Sequence, residues 1–262
     1  MRLAADELHA EVTGLKSGQP VLLLHGWGSS SALMRPLAER LESYCNVHNV
    51  DLPGHGHSPP PKHPMGVLEH AELVAEYVSG RMGGGPVTLV GHSNGGRIGL
   101  FMAAQPEYRS VFDRLILISP SGITPRRTAK YHFKRAVARM LRMPARFLPA
   151  RASAFFNDWI SHSLLWRALG SSEYNALTGV MRQTFVQMVN LHVDDLIDRI
   201  EIPVLILWGD RDAAVRRDQV ETLAARIPDS GLFILEGAGH YGHLDATDAV
   251  AGACRSMIAG SQ

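Results

Sequence analysis

Residues 86–104 read Pro86-Val-Thr-Leu-Val-Gly-His-Ser-Asn-Gly-Gly-Arg-Ile-Gly-Leu-Phe-Met-Ala-Ala104. Four β-favouring positions, Val87 to Val90, run into Gly-x-Ser-x-Gly and then into a helical pattern. Strand, sharp turn and helix in that order lift a serine above the end of a strand, as in a nucleophile elbow. So tight a turn strains the serine backbone. Its neighbours two before and two after, Gly91 and Gly95, must therefore lack bulk where strand and helix crowd together. The helix that begins behind Ser93 points its N-terminal amides at any negative charge formed there. Ser93 is the candidate nucleophile.

Outward from this stretch, short apolar runs bounded by turn residues recur at 21–24, 47–50, 87–90, 115–118, 204–207 and 232–235. They are continuous rather than alternating, so both faces of each strand are covered, as in a parallel sheet between helices. Helical patterns alternate with them over 33–41, 67–81, 95–104, 219–226 and 249–258. The alternation predicts an α/β fold: an open, mostly parallel, doubly wound sheet flanked by helices. Residues 7–13 read as a weak edge hairpin.

The alternation stops between about Thr124 and Ile200. There the pattern is helical only, over 129–141, 152–163, 171–190 and, briefly, 193–198. A helical block inserted between two strands is expected to cap the strand C-terminal ends. The expected organisation is a core of residues 1–123 and 199–262 with a helical cap of residues 124–198.

The 262 residues carry 26 Lys and Arg against 25 Asp and Glu, a formal net charge of +1. That balance argues against a general nucleic-acid binder. The length suits one large α/β domain with an insertion, stable without disulfide or metal. The first residues lack the apolar stretch of a secretory leader, and no run approaches the roughly 18 apolar residues of a membrane span. Cys45 and Cys254 stand far apart and outside any C-x-x-C setting, as free thiols of a reducing compartment do. The expectation is a cytoplasmic protein with no nucleic-acid partner and no stable membrane insertion.

A serine hydroxyl is a poor nucleophile until a positioned base takes its proton and a third group orients that base. The run 203–207 leads into Trp208-Gly-Asp-Arg-Asp212, which offers two carboxylates. The run 232–235 leads into Glu236-Gly-Ala-Gly-His-Tyr-Gly-His-Leu-Asp245, which offers two histidines. Nucleophile, then acid, then histidine, each past the end of its own strand, is the order expected of a Ser-Asp-His triad on an open α/β sheet. On the residues alone, Asp210 or Asp212 and His240 or His243 fill these roles.

Five motifs stand in this order: H-G-W-G at His25 to Gly28, D-L-P-G-H-G-H-S at Asp51 to Ser58, G-H-S-N-G-G at Gly91 to Gly96, W-G-D-R-D at Trp208 to Asp212, and G-A-G-H at Gly237 to His240. Together they resemble the α/β-hydrolase superfamily over essentially the whole chain. The resemblance implies a capped serine hydrolase without cofactor or metal. Its G-x-x-D places the acid at Asp212, with Asp210 a turn-capping group, and its Gly-His places the base at His240, with His243 packed at the start of the last helix. The backbone N–H of Asn94, just past the nucleophile, is one oxyanion donor. By resemblance the H-G-W-G loop supplies the other, the N–H of Trp27.

The remaining histidines brace turns: His25, His55, His57 and His92 all fall within these motifs. No H-E-x-x-H or H-x-H-x-D-H cluster supports metal catalysis, and Gly91 to Gly96 lacks the Lys-Ser/Thr of a phosphate loop. Between Arg126 and Arg151 nine Lys and Arg occur without an Asp or Glu, giving a basic helix face. It is either a solvated surface or a device for steering an anionic substrate or touching an acidic membrane surface. Leu177, Met181, Phe185, Met188 and Val189 share one helical face, the core of the cap or its inner wall.

The leading expectation is hydrolysis of a small or medium carboxylic ester through an acyl-enzyme. Trp27, Asn94, Arg97, Met181, Phe185 and Met188 are the expected substrate contacts. Ser-x-Gly-Gly-Arg also resembles the 2-succinyl-6-hydroxy-2,4-cyclohexadiene-1-carboxylate synthases, which eliminate pyruvate and in which an arginine here binds a substrate carboxylate. That resemblance implies an alternative: carbon–carbon hydrolysis or pyruvate elimination on a carboxylate-bearing substrate with the same triad plus Arg97. A non-catalytic ligand receptor on the same fold is the third reading.

Overall fold

The computed structural model describes residues 3–124 and 177–260. Seven strands form one sheet: β1 (Ala10–Gly14), β2 (Gln19–Leu24), β3 (Cys45–Val50), β4 (Val87–His92), β5 (Phe112–Ile118), β6 (Val204–Gly209) and β7 (Ser230–Leu235), in the order β1-β3-β2-β4-β5-β6-β7. All neighbours run parallel except β1, which lies antiparallel on β3 with Val12 opposite His48. Helices α1 (Ser31–Leu41), α2 (Val67–Arg81), α3 (Asn94–Ala103), α4 (Gly179–Asn190), α5 (Arg217–Arg226), α6 (Gly242–Asp245) and α7 (Thr247–Ala259) complete the described elements.

The period-2 geometry of a strand divides each apolar run between two cores. Val21, Leu23, Val90, Ile116 and Ile118 face one core with α1 and α7. Leu22, Leu24, Leu89, Leu115 and Leu117 face the other with α2, α3 and α5. Both faces are dry, which is why the runs read as continuous.

The chain runs from β2 through α1 to β3, then crosses back through α2 to β4 on the far side of β2. That reversal opens a crevice at the C-terminal ends of β2 and β4, the place where open α/β sheets bind ligands. The H-G-W-G loop leaves one of these strands and Ser93 the other.

Three expectations need correction. Residues 7–13 form no hairpin, because β2 is enclosed by β3 and β4, and β1 pairs instead with β3 at the sheet edge. Residues 193–198 form turns followed by a single 3₁₀ turn over Ile197–Arg199; Val193 and Ile197 are buried, but six residues are too few for a second helix. The run 232–235 is not covered on both faces: β7 is the other edge, and Phe233 is 47% exposed. The helix expected over 171–190 is described from Gly179 onward. The cap segments 129–141 and 152–163 and the basic face 126–151 lie outside the described residues. No described helix is long and apolar enough to cross a membrane.

At the C-terminal edge of the sheet, loops from β6 and β7 approach to backbone contact. A Cβ on Gly209 would meet the carbonyl oxygens of Ala238 and Gly239 at 2.4 Å. Gly209→Val is expected to cost about 3 kcal/mol in chemical denaturation. Gly231→Ala, whose Cβ meets only Leu205 at 3.9 Å, should leave stability unchanged or raise it by about 0.5 kcal/mol.

Candidate active site

Ser93 follows β4 with φ +49 and ψ −106, a strained backbone for a residue with a side chain. Its N–H donates to Ile118 of β5 at 3.0 Å, and its carbonyl accepts from the Arg97 N–H and from both the N–H and Oγ of Ser121. The glycines do what the sequence requires of them. A Cβ on Gly91 would lie 2.6 Å from the Gly95 carbonyl, and one on Gly95 would lie 2.3 Å from the Leu24 carbonyl. Ser119, at the end of β5, shares the left-handed backbone at φ +45.

The acid and the base meet across the loops after β6 and β7. His240 Nδ1 donates to Asp212 Oδ2 at 2.9 Å, with the carboxylate buried and the imidazole one-fifth exposed. The other carboxylate oxygen accepts the N–H groups of Ala214 and Val215. Burial alone would raise the Asp212 pKa, but the His240 bond and the Val215 amide outweigh it and hold the carboxyl below its usual value. An ionised carboxylate only accepts, so a proton sits on Nδ1. Asp210 is exposed and braces the two loops by accepting the Gly237 N–H at 2.7 Å, the turn-capping role expected of it.

The residue beside Ser93 holds the His240 backbone. A carbonyl can only accept, so His92 donates from Nε2 to the His240 carbonyl at 3.0 Å. Its ring lies 4.9 Å from that of His240 and 4.5 Å from that of His243. Burial, then the adjacent imidazoles of His243 and His240, push the His92 pKa well below the ordinary histidine value, so it is neutral. His243 is fully buried at α6 and packs on His92 rather than competing for Asp212.

The H-G-W-G loop passes directly over the elbow. A Cβ on Gly26 would meet the His92 ring at 2.9 Å and Ser93 Cβ at 3.2 Å. His25 fixes this loop, donating from Nδ1 to the Gly26 carbonyl at 2.7 Å and accepting the Leu52 N–H on Nε2 at 2.9 Å. Trp27 packs edge-on against His55 at 4.8 Å and against Phe185 of α4 at 5.2 Å. Asn94 is buried as the first residue of α3, where an amide has no intrahelical acceptor.

Helix α4 lies across this rim. Met181 covers Gly54, and Thr184 Oγ1 accepts the Met65 N–H at 3.1 Å. The Met188 side chain is fully buried in the core, so it is no open wall. Arg97 is buried beneath α4 and donates from Nη1 to the Met188 carbonyl near the helix C-terminus, a capping contact that favours a cation. Its Nε–H has no partner among the described residues, and burial lowers its pKa to about 10.

Sequence reading names Ser93, Asp212 and His240, of which Asp212 and His240 are joined by a hydrogen bond. It missed Ser121, which clamps the nucleophile's carbonyl, and Trp208, whose Nε1 donates to the Val215 carbonyl and fixes the acid loop. The Ser-Pro-Ser-Gly at the end of β5 was the available signal for the first. The tryptophan beside the acid was the signal for the second.

The model of the alpha/beta hydrolase fold family matches residues 19–247. Among curated relatives, the pimeloyl-[acyl-carrier protein] methyl ester esterase of Neisseria meningitidis serogroup B is 26% identical, with 92% of this chain and 93% of the relative covered. The enzyme of the same name from Xanthomonas campestris pv. campestris is 28% identical, with 96% and 99% covered. A thermophilic esterase from Thermogutta terrifontis superposes with a TM-score of 0.70 at 24% identity, covering 96% of this chain and 92% of that one, a likeness of fold.

Buried neutral histidines make stability depend on pH. Burial lowers His25, His70 and His243 to about 4, from an ordinary 6.5. The unfolded chain takes up these protons first as pH falls, so their contribution is complete above about pH 6.5 and lost toward pH 4. Thermal melting across pH 4–8 should show the Tm falling in that window. His243→Phe should flatten the fall.

Proposed function

Since the chain belongs to the alpha/beta hydrolase fold family, we propose that it cleaves small or medium carboxylic esters through an acyl-enzyme intermediate on Ser93. The His240–Asp212 hydrogen bond at the mouth of the β2/β4 crevice is the observation that carries this reading. His240 Nε2 takes the Ser93 proton as Oγ attacks the ester carbonyl, and Asp212 stabilises the imidazolium. The N–H groups of Asn94 and Trp27 stabilise the oxyanion. The proton then passes from Nε2 to the departing alkoxide, leaving the acyl group on Oγ. A water, deprotonated by the same nitrogen, attacks the acyl carbonyl and regenerates Ser93. Two relatives named as methyl ester esterases support an ester as the substrate. Residues 124–198 act as the cap, with Trp27, Phe185 and Met181 contributing to the substrate rim. Cys45 and Cys254 are buried and unbridged, in keeping with a cytoplasmic enzyme.

Fluorophosphonate labelling and p-nitrophenyl ester turnover test this beside Ser93→Ala. The variant should lose labelling, and its kcat should fall on the order of 10⁴-fold or more. Undiminished turnover would overturn the assignment.

A second reading, carbon–carbon hydrolysis or pyruvate elimination on a carboxylate-bearing substrate, is favoured by one observation: Arg97 is a buried cation with no carboxylate partner among the described residues, and its Nε–H is unused. A charge held so at an active site suits a substrate carboxylate. On this reading Arg97→Gln lowers kcat/KM for a monoester bearing a free carboxylate at least about tenfold more than for its uncharged methyl ester analogue. Equal losses on both substrates would confine Arg97 to anchoring α4.

A further inference from the structure

We propose that His9, Asp51 and His57 form a site for one divalent transition-metal ion, in which a solvent-facing metal ties the N-terminal segment to the loop after β3. The site lies at the end of β3, two strands from the nucleophile, and owes nothing to the triad.

Two imidazoles converge on one carboxylate oxygen. His9 Nδ1 lies 3.0 Å from Asp51 Oδ2 and His57 Nδ1 lies 3.7 Å from the same atom, with the two rings 4.7 Å apart. All three ligand atoms fall within 4.8 Å of one another. A single proton serves His9 and leaves His57 Nδ1 beyond hydrogen-bonding reach. An ion at metal–ligand distances of 2.0–2.2 Å in tetrahedral geometry separates its ligand atoms by about 3.4 Å. The two separations from Asp51 Oδ2 bracket that value, and the imidazole nitrogens, within 4.8 Å of each other, close by rotation of the two rings.

The frame around these atoms is already built. Asp51 Oδ1 accepts the Ser31 N–H at 2.6 Å, and Oδ2 accepts the His57 N–H at 2.9 Å. One lone pair of Oδ2 is thereby used, and the two imidazole Nδ1 atoms approach the same oxygen. The His9 backbone is fixed on both sides: its N–H donates to Ser58 Oγ and its carbonyl accepts the Asp51 N–H. Backbone amides that clamp a ligating carboxylate are the outer shell that metal sites require. The Asp51 side chain is buried, whereas those of His9 and His57 are 37% and 80% exposed, so an ion enters from solvent and water fills its remaining position.

Two imidazoles and one carboxylate suit zinc, nickel or copper rather than magnesium or calcium. Binding replaces the proton between His9 Nδ1 and Asp51 with the metal; the proton moves to Nε2, so the imidazole stays a neutral ligand.

The full chain, stripped with EDTA, is titrated calorimetrically with ZnCl2 and NiCl2, with MgCl2 as control, and melted with and without each ion. The expected result is one equivalent of Zn²⁺ or Ni²⁺, no Mg²⁺ binding, and a Tm raised by the bound ion. His57→Ala and His9→Gln should each weaken Zn²⁺ binding tenfold or more. His57 is exposed and His9→Gln keeps a donor for Asp51, so both variants should match the metal-free Tm of the parent. Ser93→Ala should bind as the parent does. No heat with Zn²⁺, or undiminished binding in both histidine variants, would overturn the site.

Discussion

Everything at the catalytic edge depends on one strained residue. A serine at φ +49 costs about 1–3 kcal/mol relative to a relaxed backbone, and it persists only where its surroundings over-determine it. Here they do. Ile118 takes its N–H, Ser121 and Arg97 saturate its carbonyl, and the missing side chains of Gly91 and Gly95 let helix, strand and the neighbouring strand's carbonyl meet. The strain aims Oγ away from the core and begins α3 beneath it, so the nucleophile and its field come from one constraint.

Charge is used sparingly around that residue. His25, His55, His70, His92 and His243 are all pushed below the ordinary histidine value, with burial the largest cause each time. They serve as rigid neutral wedges, and His25 has its tautomer fixed between Gly26 and Leu52. His240 differs because it alone in this cluster meets a buried carboxylate. One imidazole among several is therefore set apart by its partner, and His92 and His243 stack behind it without contacting Asp212.

Much of this was legible in the sequence, and the remainder was hidden for identifiable reasons. The strand-turn-helix of 87–104 encodes the elbow locally, through glycines whose absent side chains are a local steric requirement, and the apolar runs encode a sheet covered on both faces. The choice of Asp212 over Asp210 comes from the family resemblance; Asp212 pairs with His240, and Asp210 accepts the Gly237 N–H. What failed was non-local. Whether β1 pairs with β2 or β3 depends on strand order, which residues 7–13 do not carry. The exposure of Phe233 depends on β7 having no outer neighbour. His9 and Asp51 stand 42 residues apart, and no spacing rule joins them until β1 is laid against β3.

Arg97 shows how structural and functional demands fall on one side chain. A buried guanidinium is costly unless its donors are met, and five donors are more than one helix C-terminus can accept. The Met188 carbonyl takes one and fastens α4 above the crevice, yet Nε–H is left over. An arginine needed only as an anchor would be replaceable by an uncharged donor at lower cost, and apolar packing under α4 would cost less still. Arg97 is thus a buried guanidinium beside the crevice with a donor to spare among the described residues. That placement suits attraction of negative charge on whatever enters, and it is on this leftover donor that the proposed carboxylate-bearing substrate rests.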